Sequence, residues 1–237
     1  MLHYYRIADL TVAMDSFGRT VKQALPYRID DVIIEPDIRI TSNYLALKER
    51  QPHLSEDACE YLSTGSSFYN QLLRYDGMLL HSSAVVVDGR AYLFTAPCGT
   101  GKSTHTKLWL QVFGDRAQIL NDDKPALRFV DGKFYAYGTP WSGKNDCSVN
   151  LRVPVAGICV LGRGKENHIE PFGGVSAIHA ILSQTTRSKN AEFMERMLAL
   201  LDKLLTYVPV WKLECNMEPE AAMVSYRAMS GIIKEQD

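Results

Sequence analysis

The run Ala96-Pro97-Cys98-Gly99-Thr100-Gly101-Lys102-Ser103-Thr104 sets small residues, a lysine and hydroxyls at a spacing suited to binding phosphate. With alanine allowed at the first position, Ala96-x-x-x-x-Gly101-Lys102-Ser103 fits the pattern of a phosphate-cradling loop, or P-loop. The chemistry asks for successive backbone N–H groups turned inward around phosphate oxygens, which small residues permit, at a helix N-terminus whose dipole favours anions. Lys102 then neutralises the β- and γ-phosphates and the Ser103 hydroxyl ligates Mg²⁺, so the expected ligand is a nucleoside triphosphate, ATP with Mg²⁺. By ordinary residue frequencies the bare pattern arises by chance in roughly one chain in fifty of this length. A strand before it and a helix after it lower those odds, which makes an unoccupied glycine-rich turn the weaker alternative. Cys98 inside the loop reads as a small uncharged filler ahead of a redox switch.

A short apolar run, Gln118-Ile119-Leu120, leads into Asn121-Asp122-Asp123. Two adjacent carboxylates at the end of a core strand are costly unless something positive sits there. A metal held between phosphates satisfies them: one carboxylate ligates Mg²⁺ directly or through water while the other accepts the proton of an attacking hydroxyl. Alone, an Asp-Asp pair more often marks a solvated turn; beside a phosphate loop the functional reading is the stronger. The expected metal set is Ser103, Asp122 and Asp123, and the expected catalytic set is Asp123, Asp122, His81 and Lys102. His81 stands just before the hairpin that feeds the loop, on its side of the strand pairing, within reach of a γ-phosphate or its metal. By residue type alone its functional and structural readings weigh evenly. His105, Arg163, Arg187 and Lys144 are weaker candidates for the extra cation that developing transition-state charge needs, since such residues more often lie on solvated faces.

The elements that must position these groups are legible from Met78 onward. Ala84-Val85-Val86-Val87, Asp88-Gly89 and Arg90-Ala91-Tyr92-Leu93-Phe94-Thr95 predict an antiparallel hairpin with a two-residue primed turn. A helix is expected from Lys102, carrying Leu108, Trp109 and Val112 inward and stopping at Gly114, followed by a strand over 117–120. A second hairpin turns at Asp131-Gly132, between strands over 126–130 and 133–137. Residues 138–147 form a polar loop of the kind that lines sites. A buried strand over 155–161, helices over about 174–184 and 190–205, a strand over 208–213 and a final helix over about 218–234 complete the reading. Residues 1–75 form a separate stretch, a β-rich segment or small recognition module without a chemical motif, ahead of a core over 76–237. Within it Val32-Ile33-Ile34 and Ile38-Arg39-Ile40-Thr41 predict strands, and 59–73 a strand followed by a helix.

The 237 residues carry 46% hydrophobic and 22% charged side chains, an ordinary globular composition with enough apolar material for a sizeable core. A net charge of −1 leaves no basic excess for a nucleic-acid backbone or an anionic membrane, so neither is the expected partner. No apolar run approaches a spanning helix and Met1-Leu2-His3-Tyr4-Tyr5-Arg6 lacks a signal-peptide layout, which makes the cytoplasm the expected compartment. The five cysteines are odd in number and widely spaced, and read as reduced thiols.

The common phosphate-loop fold feeds its loop from a parallel strand, whereas here a tight hairpin does so. The run His81-Ser82-Ser83-Ala84, hairpin, Gly99-Thr100-Gly101-Lys102-Ser103-Thr104 and then Asn121-Asp122-Asp123 resembles the nucleotide core shared by bacterial HPr kinase/phosphorylase and ATP-dependent phosphoenolpyruvate carboxykinase. The resemblance covers about residues 78–165. It implies an α/β (α+β) fold with a mixed sheet and a hairpin-fed loop flanked by helices. By position it implies that Lys102 and Ser103 contact phosphates and metal and that Asp123 is the base with Asp122 beside it. The matching histidine, here His81, is a metal ligand in the carboxykinases and lies in the active site of the HPr kinases. The chain is too short for a carboxykinase. It also departs from HPr kinase in having Ala96 for glycine and in lacking the long Arg- and Pro-containing segment tied to phosphorolysis. What the resemblance implies is a divergent kinase transferring the γ-phosphoryl group of ATP to a hydroxyl of free serine, a peptide or a small protein. Because HPr kinases are hexamers, it also implies self-association. A nucleotide-binding regulatory module without transfer and a bare ATPase are the alternatives.

Overall fold

The computed structural model describes residues 2–29, 35–188 and 190–231. The chain opens with a hairpin, β1 (His3–Ile7) and β2 (Leu10–Asp15), reversed at Ala8 and Asp9, both at positive φ. Helix α1 (Gly18–Ala24), β3 (Arg28–Ile29) and β4 (Ile38–Thr41) follow, and the four strands order as β3-β1-β2-β4 with β4 parallel to β2. In β4, Ile38 and Ile40 are buried while Arg39 and Thr41 face water, as its alternation requires. The expected strand at Val32-Ile33-Ile34 lies outside the described residues.

After α2 (Tyr44–Arg50) comes α3 (Glu56–Leu72), one unbroken helix where a strand followed by a helix was expected over 59–73. The reason is local. Ser55 caps the helix by accepting from the Ala58 N–H at 3.1 Å, and Glu56 and Asp57 sit in the first turn, where the dipole favours them. Tyr61, Thr64, Gly65, Phe68 and Leu72 then form one buried stripe at helical spacing.

The rest of the chain builds a nine-stranded mixed sheet. In chain order its elements are β5 (Gly77–Leu79), β6 (Ser82–Val87), β7 (Arg90–Thr95), α4 (Lys102–Phe113), β8 (Ala117–Asn121), β9 (Ala126–Val130), β10 (Lys133–Tyr137), β11 (Arg152–Arg163), β12 (His168–Pro171), α5 (Gly174–Ser183), α6 (Ala191–Tyr207), β13 (Val210–Cys215) and α7 (Glu220–Met229). The sheet runs β5-β9-β10-β11-β7-β6-β8, with β13 on β11 and β12 on β13. Its curl comes from β11, which pairs antiparallel with β10 near Val153 and then, past a bulge between Val155 and Gly157, parallel with β7 and β13. The hairpin expected ahead of the loop is present: β6 and β7 are antiparallel, and Asp88 and Gly89 both take the positive φ of a primed turn. Asp131 and Gly132 do the same between β9 and β10.

Helices α4 and α7 cover one face, where Trp109, Ala222 and Met229 pack with Tyr92 and Phe94 of β7, and α6 covers the other through Leu200, Leu201 and Leu204. A third core joins the N-terminal sheet and α3 to Ala126, Tyr137 and Trp141. Residues before 75 therefore share an apolar core with β9, β10 and the 138–147 loop. The final helix is shorter than its expected span of about 218–234, ending at Met229. Among the described residues no helix is long and apolar enough to cross a membrane.

Candidate active site

The 96–103 segment leaves the end of β7 and enters α4 at Lys102. Gly99 and Gly101 have φ of 78° and 123°, backbone that side chains rarely adopt, and no neighbour stands within 4 Å of where either Cβ would lie. These glycines serve the backbone path, and the face of the loop stays open. The first turn of α4 leaves its N–H groups without intrahelical partners, aimed at that opening. Lys102 is 8% exposed, and its Nζ donates to the Ala96 carbonyl at 2.8 Å, closing the loop on itself. Burial lowers the Lys102 pKa, against the opposing pull of Cys98, Asp123 and Asp122. From behind, Arg163 donates to the Gly99 carbonyl at 2.6 Å and the Thr100 carbonyl at 3.4 Å.

The acidic turn is held by side chains from distant segments. Asn121 is fully buried at the end of β8; its Nδ2 donates to the Thr139 carbonyl and hydroxyl, both at 3.1 Å. Its Oδ1 accepts from the N–H groups of Asp123 at 3.0 Å and Lys124 at 2.7 Å, which shapes the turn. Asp122 accepts from the Ser83 hydroxyl at 2.7 Å and from Asn145 Nδ2 at 3.1 Å. Asp123 faces His81 Nε2 at 3.0 Å and Lys124 Nζ at 2.5 Å. Burial alone would raise the Asp123 pKa, but the hydrogen bond from His81 and the Lys124 ammonium outweigh it and hold the carboxyl near 2. His81 Nδ1 lies 3.1 Å from Gln184 Oε1, so both ring nitrogens face oxygens.

Helix α3 stands directly behind this turn. Tyr61 carries Lys124 Nζ 5.3 Å and the Arg19 guanidinium 4.1 Å from its ring centre, and its hydroxyl accepts from the Gly143 N–H at 3.0 Å. Trp141 stacks on Phe68 at 4.9 Å and donates to Thr64 at 3.2 Å. A Cβ on Gly65 would come within 2.9 Å of the Trp141 ring, so only glycine lets the indole seat there.

Loop and turn face each other across a cavity of about 500 Å³, lined by Cys98, Gly99, residues 101–104, His81, Asp122, Asp123 and residues 142–145. It brings together most of the residues expected from sequence, including Lys144. Ala96 contributes the buried carbonyl that receives Lys102, Pro97 is exposed, and Thr100 lines an adjoining cavity of about 550 Å³ with Leu108, Leu161 and Met217. Three weaker candidates lie elsewhere. His105 is buried against Phe94 and bonded to Ser225 and Trp109, and burial pushes its pKa down to about 4, which leaves it neutral. Arg163 directs its charge at loop carbonyls. Arg187 is exposed, with no hydrogen bond or ion pair among the described residues.

Sequence reasoning missed Lys124, Asn145, Gln184, Arg19 and Tyr61. Lys124 had a signal in its position, directly after the carboxylate it pairs with. Asn145 lies in the 138–147 loop expected to line a site, though it was not singled out there; Gln184, Arg19 and Tyr61 had no signal, because each arrives from a different element. With N–H donors of the loop and an ammonium on one wall and two carboxylates on the other, the cavity suits an anion at the loop and a hard cation between them.

The model of the SynChlorMet cassette protein ScmC family matches residues 55–218, more than half of the chain. The chain belongs to the ScmC family. The match begins at the Ser55 cap of α3 and takes in the 96–103 loop, the acidic turn and β13, while the four-stranded N-terminal sheet precedes it. No curated protein matches the chain. Among solved structures it is similar to the Hpr(Ser) kinase/phosphatase from Coxiella burnetii at 13% identity and a TM-score of 0.38, over 66% of this chain and 97% of that one. So distant a likeness bears no weight for the reaction.

Proposed function

We propose that this protein is an ATP-dependent kinase that transfers the γ-phosphoryl group to a hydroxyl. The observation that carries the reading is the convergence of Lys102, Ser103, Asp122, Asp123 and His81 on one cavity at the N-terminus of α4. The motif resemblance to HPr kinase/phosphorylase points the same way.

The triphosphate lies in the 96–103 loop, its charge met by the α4 N-terminus and by Lys102. The adjoining cavity past Thr100, with Leu108, Leu161 and Met217, offers apolar surface for the base. Ser103, Asp122 and Asp123 are hard oxygen donors lining the phosphate cavity and fit Mg²⁺, an ion that usually completes its shell with waters and phosphate oxygens. When bound there, Mg²⁺ neutralises phosphate charge. The acceptor oxygen forms the new P–O bond as the bond to the β-phosphate breaks, its proton passes to Asp123, and ADP leaves. A carboxyl with a pKa near 2 is a weak base at rest. It suffices because the hydroxyl becomes acidic only as its bond to phosphorus forms, so Asp123 mainly aims the acceptor oxygen.

A second reading, nucleotide binding or bare ATP hydrolysis without an acceptor, draws on the fact that both Asp123 oxygens are already engaged by His81 and Lys124. Calorimetry with MgATP, paired with phosphate release, separates the readings. The kinase reading expects binding by the wild type, its loss on the order of 100-fold in Lys102→Ala, and binding with turnover lower by about a thousandfold in Asp123→Asn. It further expects an acceptor to redirect phosphate release. Failure of the wild type to bind any nucleoside triphosphate overturns it.

A further inference from the structure

Beside the phosphate cavity lies a polar cleft of about 470 Å³, walled by Arg19, Lys22 and Gln23 of α1, Asp57 of α3, and Lys144 and Asp146 of the 138–147 loop. Lys144 lines both spaces. Gly143, next to it, lies so near the base that a Cβ there would come within 2.8 Å of the Asp123 Cβ. Through Lys144 the cleft therefore adjoins the cavity that Asp123 lines.

Its walls carry three cations, Arg19, Lys22 and Lys144, against two carboxylates, Asp57 and Asp146, and some of these groups are fixed by hydrogen bonds. Arg19 donates to the Gly143 carbonyl through its guanidinium and to Asp57 Oδ1 through its N–H at 2.6 Å. Asp146 Oδ1 accepts from the Ser142 hydroxyl at 3.1 Å. Two cations are left over: Lys22 and Lys144 are exposed and have no hydrogen bond or ion pair among the described residues. A third group is also unspent. Gln23 is only 6% exposed, and its buried Oε1 has no hydrogen-bond partner, a state that native proteins rarely leave unanswered.

We propose that this cleft is the acceptor subsite and that the acceptor is a hydroxyl compound carrying a carboxylate close to the reacting oxygen. The inference rests on the kinase reading. Lys22 and Lys144 hold the carboxylate, an N–H of the acceptor serves Gln23, and the hydroxyl reaches Asp123 past Lys144, which lines both spaces. Free serine with its own carboxylate, or a serine flanked by acidic residues in a peptide, supplies this chemistry.

The test uses the full chain with MgATP and three probes: free L-serine, a five-residue peptide with serine between two glutamates, and the same peptide with glutamines. The expected result is kcat/KM about tenfold higher for at least one carboxylate-bearing probe than for the glutamine peptide. In Lys22→Gln that preference shrinks to within about threefold, through KM, at an unchanged Kd for MgATP. Whether L-serine or the glutamate peptide is preferred identifies the source. Lys133→Gln, on the far hairpin, serves as the charge control. Equal use of both peptides, a preference that survives Lys22→Gln, or MgATP binding without phosphorylation of any probe overturns the subsite and leaves nucleotide binding standing. Absence of MgATP binding overturns both readings together.

Discussion

The two walls of the cavity are made in opposite ways. The 96–103 loop is contiguous, and its shape is set by two glycines, one lysine that bonds back six residues to Ala96, and the start of a helix. The facing turn at Asp122 and Asp123 is assembled from Ser83, His81, Lys124, Asn145 and Thr139, with Tyr61 and Trp141 behind them. A wall built from consecutive backbone can bind with little help from the rest of the fold. A wall built from converging side chains depends on every element that delivers one.

The largest expected effect separates the walls by removing the indole behind the turn. Trp141→Ala vacates a fully buried position stacked on Phe68 and is expected to lower unfolding free energy by about 4 kcal/mol. In the fraction that stays folded it is expected to slow turnover far more than it weakens MgATP binding. Denaturant melts beside calorimetry check this, and equal damage to both would erase the distinction between the walls.

A smaller effect tests the region behind the turn through pH. Glu60 is wholly buried on α3, and burial pushes its pKa from 4.5 to about 7 despite the Thr20 hydroxyl that donates to it. A carboxyl whose folded pKa is raised holds its proton more tightly when folded, so its stabilising share is complete below pH 4.5 and is lost as pH rises through 7. The loss amounts to about 3 kcal/mol. Melting temperatures between pH 4.5 and 8 are expected to show a falling component that Glu60→Gln removes.

The smallest effect falls on the contiguous wall. Arg163→Ala frees the Gly99 and Thr100 carbonyls, and because the loop keeps its own closure through Lys102 the expected cost is about threefold to tenfold in MgATP affinity. A loss as large as that of Lys102→Ala would mean that this wall, too, depends on remote support.

What could be read in the sequence follows the same division. The turns at Asp88-Gly89 and Asp131-Gly132 were legible because a positive φ at two successive residues selects for those types, and Gly114, at φ 53°, ended α4 as expected. The β1–β2 hairpin was missed because Ala8 and Asp9 carry its turn without a glycine. His105 looked like an available cation, yet three residues into α4 it falls on the face that packs against Phe94. Arg19 was illegible for a plainer reason: it meets Gly143 across 124 residues of chain, and no local pattern encodes that pairing.

The seat that Gly65 leaves for Trp141 also ties together distant stretches of the chain. The 96–103 loop can close once β6, β7 and α4 have emerged, since its contacts are local. The indole must find Thr64, 77 residues earlier in the chain, and closing so long a span is the slower step. The two walls therefore differ in the length of chain that their defining contacts close, six residues between Ala96 and Lys102 and 77 between Thr64 and Trp141.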